Sequence, residues 1–229
     1  MVNISSLRLS AGKATLFIAF VMLLIGKTHA QQPPFYNDIQ KFKQQDSLNF
    51  PPGKAILLVG SSSFTKWTDV QQYFPSHTII NRGFGGSSLP DLIHYENDVI
   101  FPYKPRQIII YCGENDFAAS DTVSVATVVG RFKTLFNDIR SHWKKVRVDF
   151  VSMKPSPSRQ HLWPKFEEAN GQIKAFLETE KKAKFIDVYN AMFNADGKVM
   201  EDIFVEDRLH MNEKGYAIWQ KIFEPYLKD

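Results

Sequence analysis

Short apolar segments alternate with amphipathic helical patterns over residues 55–223, and this alternation limits the fold more than any other feature. Five segments have the length and apolar content of buried strands: residues 55–59, 78–80, 107–112, 146–151 and 184–188. Between them, apolar residues recur at spacings of three and four, as in the stripe from Val125 to Ile139. Strands that alternate with helices favour a parallel sheet with helices on both faces. We therefore predict an α/β fold with five parallel strands.

Candidate N-cap residues precede several helical patterns. Ser120 or Asp121 can cap the helix with the stripe from Val125, and Asn212 can cap a last helix over residues 216–223. A further helix is predicted near residues 166–177, and a short one over residues 38–48. The last of these lies in a polar segment, residues 31–52, that we interpret as an N-terminal arm of the domain formed by residues 53–229.

Residues 1–30 have the layout of a secretory signal peptide. Arg8 and Lys13 form a basic start, residues 14–26 are an apolar run of 13 residues, and Thr28-His29-Ala30 offers a cleavage site. A membrane-spanning helix needs about 20 apolar residues, more than this run contains. We therefore predict a signal peptide that is cleaved near Ala30 rather than a membrane anchor. The expected protein is exported to the periplasm or the extracellular space, without stable membrane insertion after cleavage.

Charge and cysteine content exclude several classes of protein. The chain carries 28 basic and 24 acidic residues, but three of the basic ones lie in residues 1–30, which leaves 25 against 24 and a formal charge of +1. No nucleic-acid partner is therefore expected. The single cysteine, Cys112, lies in an apolar run, so it is predicted to be a buried residue and a poor nucleophile. The histidines show no metal-binding spacing, and we expect no metal or other cofactor.

Polar, glycine-rich segments follow the first three predicted strands. Ser62 follows the first, residues 83–88 the second, and residues 113–116 the third. Ligands of parallel α/β sheets bind beyond the carboxyl ends of the strands. These segments are therefore expected to meet at one edge of the sheet.

An acid and a histidine near the C-terminus supply the remaining parts of a serine esterase. Asp207 and His210 are three residues apart and can share one turn. Imidazole has an ordinary pKa of about 6.5, which suits a base that takes the proton of Ser62, while Asp207 would orient the ring. The backbone N–H groups of Ser62 and Gly86 and the side-chain amide of Asn115 are candidate donors to the oxyanion.

Each of these segments also has a purely structural interpretation. Residues 60–63 can be a strand-to-helix turn with a serine cap, the glycines of residues 83–86 can serve a tight turn, and Asn115 can be a turn or cap residue. His210 can be a surface residue before the cap at Asn212. The conjunction of the four segments, in order and at strand ends, favours the catalytic interpretation.

The four segments together resemble the SGNH hydrolases, also called GDSL-like lipases and acylhydrolases. They are Gly60-Ser61-Ser62, Asn81 to Gly86, Gly113-Glu114-Asn115-Asp116 and Asp207-Arg208-Leu209-His210. The resemblance implies a three-layer α/β/α sandwich with a flavodoxin-like, five-stranded parallel sheet. It also implies that Ser62 is the nucleophile, that Gly86 and Asn115 complete the oxyanion hole, and that His210 is the base with Asp207. Gly86 is chosen over Gly83 and Gly85 because the family's donor precedes an Asp or Ser.

One position departs from the family pattern. The family usually has Asp before the nucleophile, and this chain has Ser61. That acid is not the acid of the triad, so we expect the chemistry to survive, with altered hydrogen bonding or rate. The Gly-Ser-Ser-Ser form is similar to members near the platelet-activating-factor acetylhydrolase-like and carbohydrate-esterase branch. Ser63 is an alternative nucleophile.

The substrate is predicted from less specific features. The proline-containing segment 153–163 follows the fourth strand, where Arg159 and Trp163 could contact a small-molecule or glycan ester. Trp163 could equally pack beneath its own loop. We predict an esterase for short acyl groups, most simply acetyl groups on a carbohydrate. The alternatives are a lipid acylhydrolase of the lysophospholipase or thioesterase type, an acyltransferase that uses the same triad, and a glycan-binding module with little activity.

Overall fold

Strand β1 (Ile56–Gly60) lies inside a five-stranded parallel sheet in the computed structural model, which describes residues 32–228. The other strands are β2 (Ile79–Gly83), β3 (Gln107–Tyr111), β4 (Arg147–Val151) and β5 (Ala183–Ile186). The strand order is β2-β1-β3-β4-β5, and every neighbouring pair is parallel. This order is that of flavodoxin-like folds.

Helices and short 3₁₀ turns connect the strands. The α-helices are α1 (Tyr36–Leu48), α2 (Ser62–Thr65), α3 (Val70–Tyr73), α4 (Leu89–His94), α5 (Glu96–Val99), α6 (Glu114–Ala118), α7 (Val125–His142), α8 (Trp163–Thr179) and α9 (Glu213–Phe223). The 3₁₀ turns are Pro157–Leu162, Asn190–Met192, Glu201–Ile203 and Glu224–Tyr226.

The sheet separates two apolar layers, because alternate residues of a strand point to opposite faces. On β1, Leu57 and Val59 join a cluster with α4, α7 and α8, whereas Ile56 and Leu58 join a second cluster with α2, α3 and α9. The predicted three-layer α/β/α sandwich is thus confirmed. A chain without a disulfide depends on these two layers for its stability.

The strand order has a switch point between β1 and β3. The chain leaves β1 towards β2 on one side and leaves β3 towards β4 on the other. The loops that follow β1 and β3 therefore diverge, and α/β sheets bind ligands beyond the carboxyl ends of such strands. Ser62 and Asn115 each lie within four residues of these ends.

Several predicted boundaries were wrong, and the end of the second strand and the cap of α7 differ most. The second strand continues through Gly83, three residues beyond its predicted end, because Asn81, Arg82 and Gly83 remain in register with β1. The N-cap of α7 is Ser124, whose Oγ accepts the Thr127 N–H at 3.1 Å. Neither predicted cap, Ser120 or Asp121, precedes the helix directly, and Ser120 closes a separate turn with Thr122. The predicted cap at Asn212 is confirmed, since its side chain accepts from the N–H groups of the first turn of α9.

Helix α1 packs on the rest of the domain. Ile39 is buried in the apolar layer on the α7 side, and Asp46 forms an ion pair with Arg82 and accepts a hydrogen bond from Tyr103. The predicted signal peptide, residues 1–30, lies outside the described residues. Within residues 32–228, no helix is both long and apolar enough to cross a bilayer.

Candidate active site

Residues 207–210 form a tight turn that faces the carboxyl edge of the sheet. Asp207 Oδ1 accepts the N–H groups of Leu209 and His210, each at 2.9 Å. Arg208 has a φ of 55°, and the Val205 N–H donates to the His210 carbonyl at 2.9 Å, which closes the turn. The turn places the Asp207 and His210 side chains side by side.

His210 bridges Asp207 and Ser62. Its Nδ1 lies 2.5 Å from Asp207 Oδ2, and its Nε2 lies 2.9 Å from Ser62 Oγ. A carboxylate only accepts hydrogen bonds, so the proton belongs on Nδ1 and the Nε2 lone pair faces the serine hydroxyl. Burial would raise the pKa of Asp207, but hydrogen bonds from the backbone and ring of His210 and from the Leu209 N–H lower it to about 2. Asp207 is therefore an anion at neutral pH.

Ser62 begins helix α2 directly after β1. Gly60 has a φ of 145°, and a Cβ there would lie 1.9 Å from the Tyr111 carbonyl oxygen, so only glycine fits the close approach to β3. The Ser61 N–H donates to the same oxygen at 3.0 Å, and Ser61 is buried at the cap of α2. The alternative nucleophile Ser63 is 1% exposed, and the structure brings Ser62, not Ser63, to His210.

Asn115 presents its amide from the first turn of α6. Its Oδ1 accepts Arg159 Nη2 at 2.7 Å, and one Nδ2 proton is donated to the Ser87 carbonyl at 2.9 Å. Arg159 is only a donor and the carbonyl only an acceptor, so these contacts determine which way the amide points. Among residues 32–228, the second Nδ2 proton has no acceptor. Ser87 also donates its Oγ to the Gly60 carbonyl at 3.2 Å and so joins the loops after β1, β2 and β3.

The glycine loop after β2 lies beside Ser62. A Cβ on Gly85 would lie 3.8 Å from Ser62 Cβ, whereas one on Gly86 would lie 3.7 Å from the ring of Phe35. Gly86 has a φ of 89°, a conformation that favours glycine. The role of the Gly86 N–H as an oxyanion donor stays a prediction.

The two predicted substrate contacts, Arg159 and Trp163, lie in different surroundings. Arg159 bonds Asn115 and Glu114, and its side chain is 17% exposed. Trp163 begins α8 and donates its Nε1 to the Ser156 carbonyl at 3.0 Å, with its ring edge-on to Phe193. Trp163 thus packs against its own loop, and contact of either residue with a substrate stays a prediction.

A buried charged cluster behind Asn115 was missed by the sequence analysis. Glu114 accepts hydrogen bonds from the Tyr111 hydroxyl and the Lys154 N–H, and its Oε2 lies 3.3 Å from Lys154 Nζ. Burial would raise the pKa of Glu114, but the charges of Lys154 and Arg159 outweigh it, so that the pKa lies below its ordinary value. Burial lowers the pKa of Lys154. A lysine three residues after the end of a buried strand was the available signal.

The remaining metal-ligating and thiol side chains of residues 32–228 lie in the following surroundings. No group of three or more His, Cys, Asp or Glu side chains is arranged to hold a metal ion within these residues. Cys112 is buried, and burial, followed by the charge of Asp116, raises the pKa of its thiol well above the ordinary value. A thiol in this state is a poor nucleophile.

Comparison with known proteins agrees with this geometry. The sequence profile of the GDSL-like lipase/acylhydrolase family matches residues 53–218. The chain belongs to this family. The matched range includes all four segments that carry the resemblance, and the protein is accordingly a carboxylic ester hydrolase. No protein of curated function matches the chain significantly in sequence.

Solved structures share the fold at low sequence identity. A protein from Streptococcus pneumonia, provisionally named a platelet activating factor, has a TM-score of 0.74 at 18% identity, over 96% of this chain and 100% of its own. A GDSL-like lipase from Bacteroides thetaiotaomicron has a TM-score of 0.69 at 19% identity, over 82% and 96%. A variant of an acetyl xylan esterase from Geobacillus stearothermophilus has a TM-score of 0.61 at 15% identity, over 76% and 94%. These likenesses establish the fold.

Proposed function

We propose that this GDSL-like acylhydrolase is an exported serine esterase that removes short acyl groups, in particular acetyl groups, from a carbohydrate. The observation that carries the proposal is the bridge formed by His210, 2.9 Å from Ser62 Oγ and 2.5 Å from Asp207 Oδ2. In this arrangement His210 Nε2 takes the Ser62 proton as Oγ attacks the ester carbonyl. Asp207 stabilises the imidazolium that forms.

The attack converts the carbonyl oxygen into an oxyanion, which the site stabilises with preset donors. The Ser62 N–H at the start of α2, the Gly86 N–H and the second Nδ2 proton of Asn115 are the proposed donors. Collapse of this intermediate expels the alcohol, which takes its proton from His210 and leaves an acyl group on Ser62. Water, activated by His210, then releases the acid and restores Ser62.

Surface composition favours a short acyl group. Within the part of the chain that the structure describes, the exposed large apolar side chains are Leu48, Phe50 and Val205. Phe50 stacks on Tyr103, which precedes β3 and so lies towards the amino end of the sheet. Val205 alone lies near Asp207 in the chain. Long acyl chains need a continuous apolar surface, which these residues do not form.

A carbohydrate is the favoured bearer of the acyl group for two reasons. The fold is shared with an acetyl xylan esterase, although at 15% identity. Residues 1–30 have the composition of a signal peptide, and export would bring the enzyme to polysaccharide esters. Mass spectrometry of secreted protein tests the predicted cleavage: a mature chain that begins near Gln31 is expected, and an intact precursor would refute cleavage near Ala30.

Hydrolysis of p-nitrophenyl acetate by the purified protein tests the proposed chemistry. We expect activity in the parent and a loss of about 1000-fold or more in both Ser62→Ala and His210→Ala. Ser63→Ala is the matched control and should keep the parent rate within about threefold, since Ser63 does not contact His210. Parent activity that survives in Ser62→Ala would refute the assignment of the nucleophile.

A substrate panel tests the acyl length and its bearer. Acetylated xylo-oligosaccharides are expected to release acetate faster than lysophosphatidylcholine releases fatty acid. The rate with p-nitrophenyl esters should fall as the chain grows from acetate to palmitate. Faster cleavage of the phospholipid would favour a lipid acylhydrolase, and transfer of acetyl to an added sugar acceptor would favour an acyltransferase.

A further inference from the structure

Arg159 connects the proposed oxyanion donor to a buried carboxylate. Its Nη2 donates to Asn115 Oδ1 at 2.7 Å, and its Nη1 lies 3.2 Å from Glu114 Oε2. The two contacts go to consecutive residues of α6 and hold the planar guanidinium in one orientation. With the side chain only 17% exposed, water competes weakly for these bonds.

Glu114 is itself held rigidly. Its side chain is 5% exposed, and Oε1 accepts from the Tyr111 hydroxyl and from the Lys154 N–H at 3.0 Å. Lys154 Nζ lies 3.3 Å from Oε2 and is 2% exposed. Lys154 can therefore neutralise the carboxylate without Arg159. The guanidinium is a second cation beside Glu114, and its other partner is the amide of Asn115.

We propose that Arg159 is a positioning residue that holds Asn115 in the orientation required of an oxyanion donor. A side-chain amide can rotate by 180° and present its oxygen where its NH₂ group stood. An oxygen facing the developing oxyanion would repel it. In the observed orientation, Asn115 Oδ1 accepts a hydrogen bond from Arg159 and Nδ2 donates one to the Ser87 carbonyl. Rotation of the amide would break both hydrogen bonds.

The guanidinium also polarises the amide. A hydrogen bond from a charged donor to Oδ1 withdraws electron density from the amide group and strengthens the Nδ2–H groups as donors. The inference rests on the proposed function, because it requires Asn115 to contact the oxyanion. The proposed role differs from a substrate contact. Loss of Arg159 should lower kcat, through its effect on Asn115, whereas loss of a substrate contact would raise KM.

A double-mutant cycle between Arg159 and Asn115 tests the proposal, with p-nitrophenyl acetate as substrate. Asn115→Ala is expected to lower kcat by about 100- to 1000-fold, the usual loss of one oxyanion donor. Arg159→Ala should lower kcat by about 10- to 100-fold with KM within about threefold, because a mobile amide keeps part of its effect. In the Asn115→Ala background, Arg159→Ala should lower kcat by less than about threefold further.

Guanidinium rescue separates positioning from folding. Millimolar guanidinium should restore part of kcat in Arg159→Ala and none in the double variant. Arg131→Ala is the matched control. Arg131 Nη1 lies 2.8 Å from Oδ1 of Asp116, which belongs to α6 as Asn115 does, but Arg131 does not bond Asn115. Its kcat should stay within about threefold of the parent. Circular dichroism and urea unfolding of each variant verify that the fold is retained.

Three outcomes would overturn the proposal. If Asn115→Ala is strongly impaired and the losses of kcat from Arg159→Ala and Asn115→Ala add in the double variant, positioning by Arg159 is rejected. The proposed function then remains intact. A higher KM with unchanged kcat in Arg159→Ala would make Arg159 a substrate contact. An unchanged kcat in Asn115→Ala would remove Asn115 from the oxyanion hole and reject both assignments, even if Ser62→Ala remained inactive.

Discussion

His210 Nε2 lies 2.9 Å from Ser62 Oγ although 148 residues separate the two in the chain. Ser62 follows β1, and His210 ends a turn that precedes α9. The second apolar layer brings them together, since α2 and α9 pack through Phe64 and Trp219, and the Tyr216 hydroxyl donates to the Ser63 carbonyl at 2.9 Å. The short distance is thus a consequence of helix packing.

Asp207→Asn should lower kcat by about 100- to 10,000-fold without loss of the fold. The amide can donate to Nδ1 and so favours the tautomer with the proton on Nε2, which cannot accept the Ser62 proton. In the parent, Asp207 Oδ1 accepts two backbone N–H groups of the turn. The amide oxygen of the variant can take the place of Oδ1 and accept the same two groups, so the turn is retained. Steady-state kinetics with p-nitrophenyl acetate measure the loss. An active Asp207→Asn variant would remove Asp207 from the mechanism.

The acid limb of the pH profile of kcat/KM should have a slope of one between pH 4 and neutrality. The pKa of Asp207 is lowered to about 2, so Asp207 stays ionised over this range and adds no proton uptake of its own to this limb. The same lowered pKa contributes stability that is present above the ordinary pKa of about 3.9 and is lost as the pH falls towards 2. A slope of two above pH 4 would show that a second essential group titrates.

Lys154→Met should lower the free energy of unfolding by about 3 kcal/mol. The substitution leaves the Glu114 carboxylate buried with Arg159 as its only cationic partner among the described residues. The double variant Glu114→Gln/Lys154→Met should recover part of the loss, since no carboxylate is then left buried without Lys154, and the remaining charge, Arg159, is 17% exposed. Urea unfolding at pH 7 measures both. Equal stability of the parent and Lys154→Met would show that Lys154 does not stabilise Glu114.

Cys112 should resist alkylation by iodoacetamide at pH 8 in the folded protein and react fully in 8 M urea. Burial and the charge of Asp116 raise the pKa of the thiol, which also approaches the Ser87 carbonyl at 3.6 Å. Cys112→Ala should retain kcat within about threefold, because the thiol takes no part in the chemistry. Rapid labelling of the native protein, measured by mass spectrometry, would contradict this burial.

Local patterns in the sequence were enough to predict the sheet and most of the candidate site. Apolar runs of strand length and stripes of helical period report directly on which residues face a core, because burial drives both. The order of the segments then places Ser62 and Asn115 at strand ends, and parallel strands present those ends at one edge. The short spacing of Asp207 and His210 encodes their contact within a single turn.

The end of β2, the cap of α7 and the surroundings of Arg159 were decided by tertiary structure. The pairing of Asn81 to Gly83 depends on the neighbouring strand β1, and a choice among several nearby serines depends on the turn before the helix. Arg159 reaches Glu114 and Asn115 across 45 and 44 residues, and Lys154 reaches Glu114 across 40. Contacts between charged residues so far apart in the sequence leave no repeating pattern in it. They form only when the packed layers bring β3, β4 and the loop after β4 together.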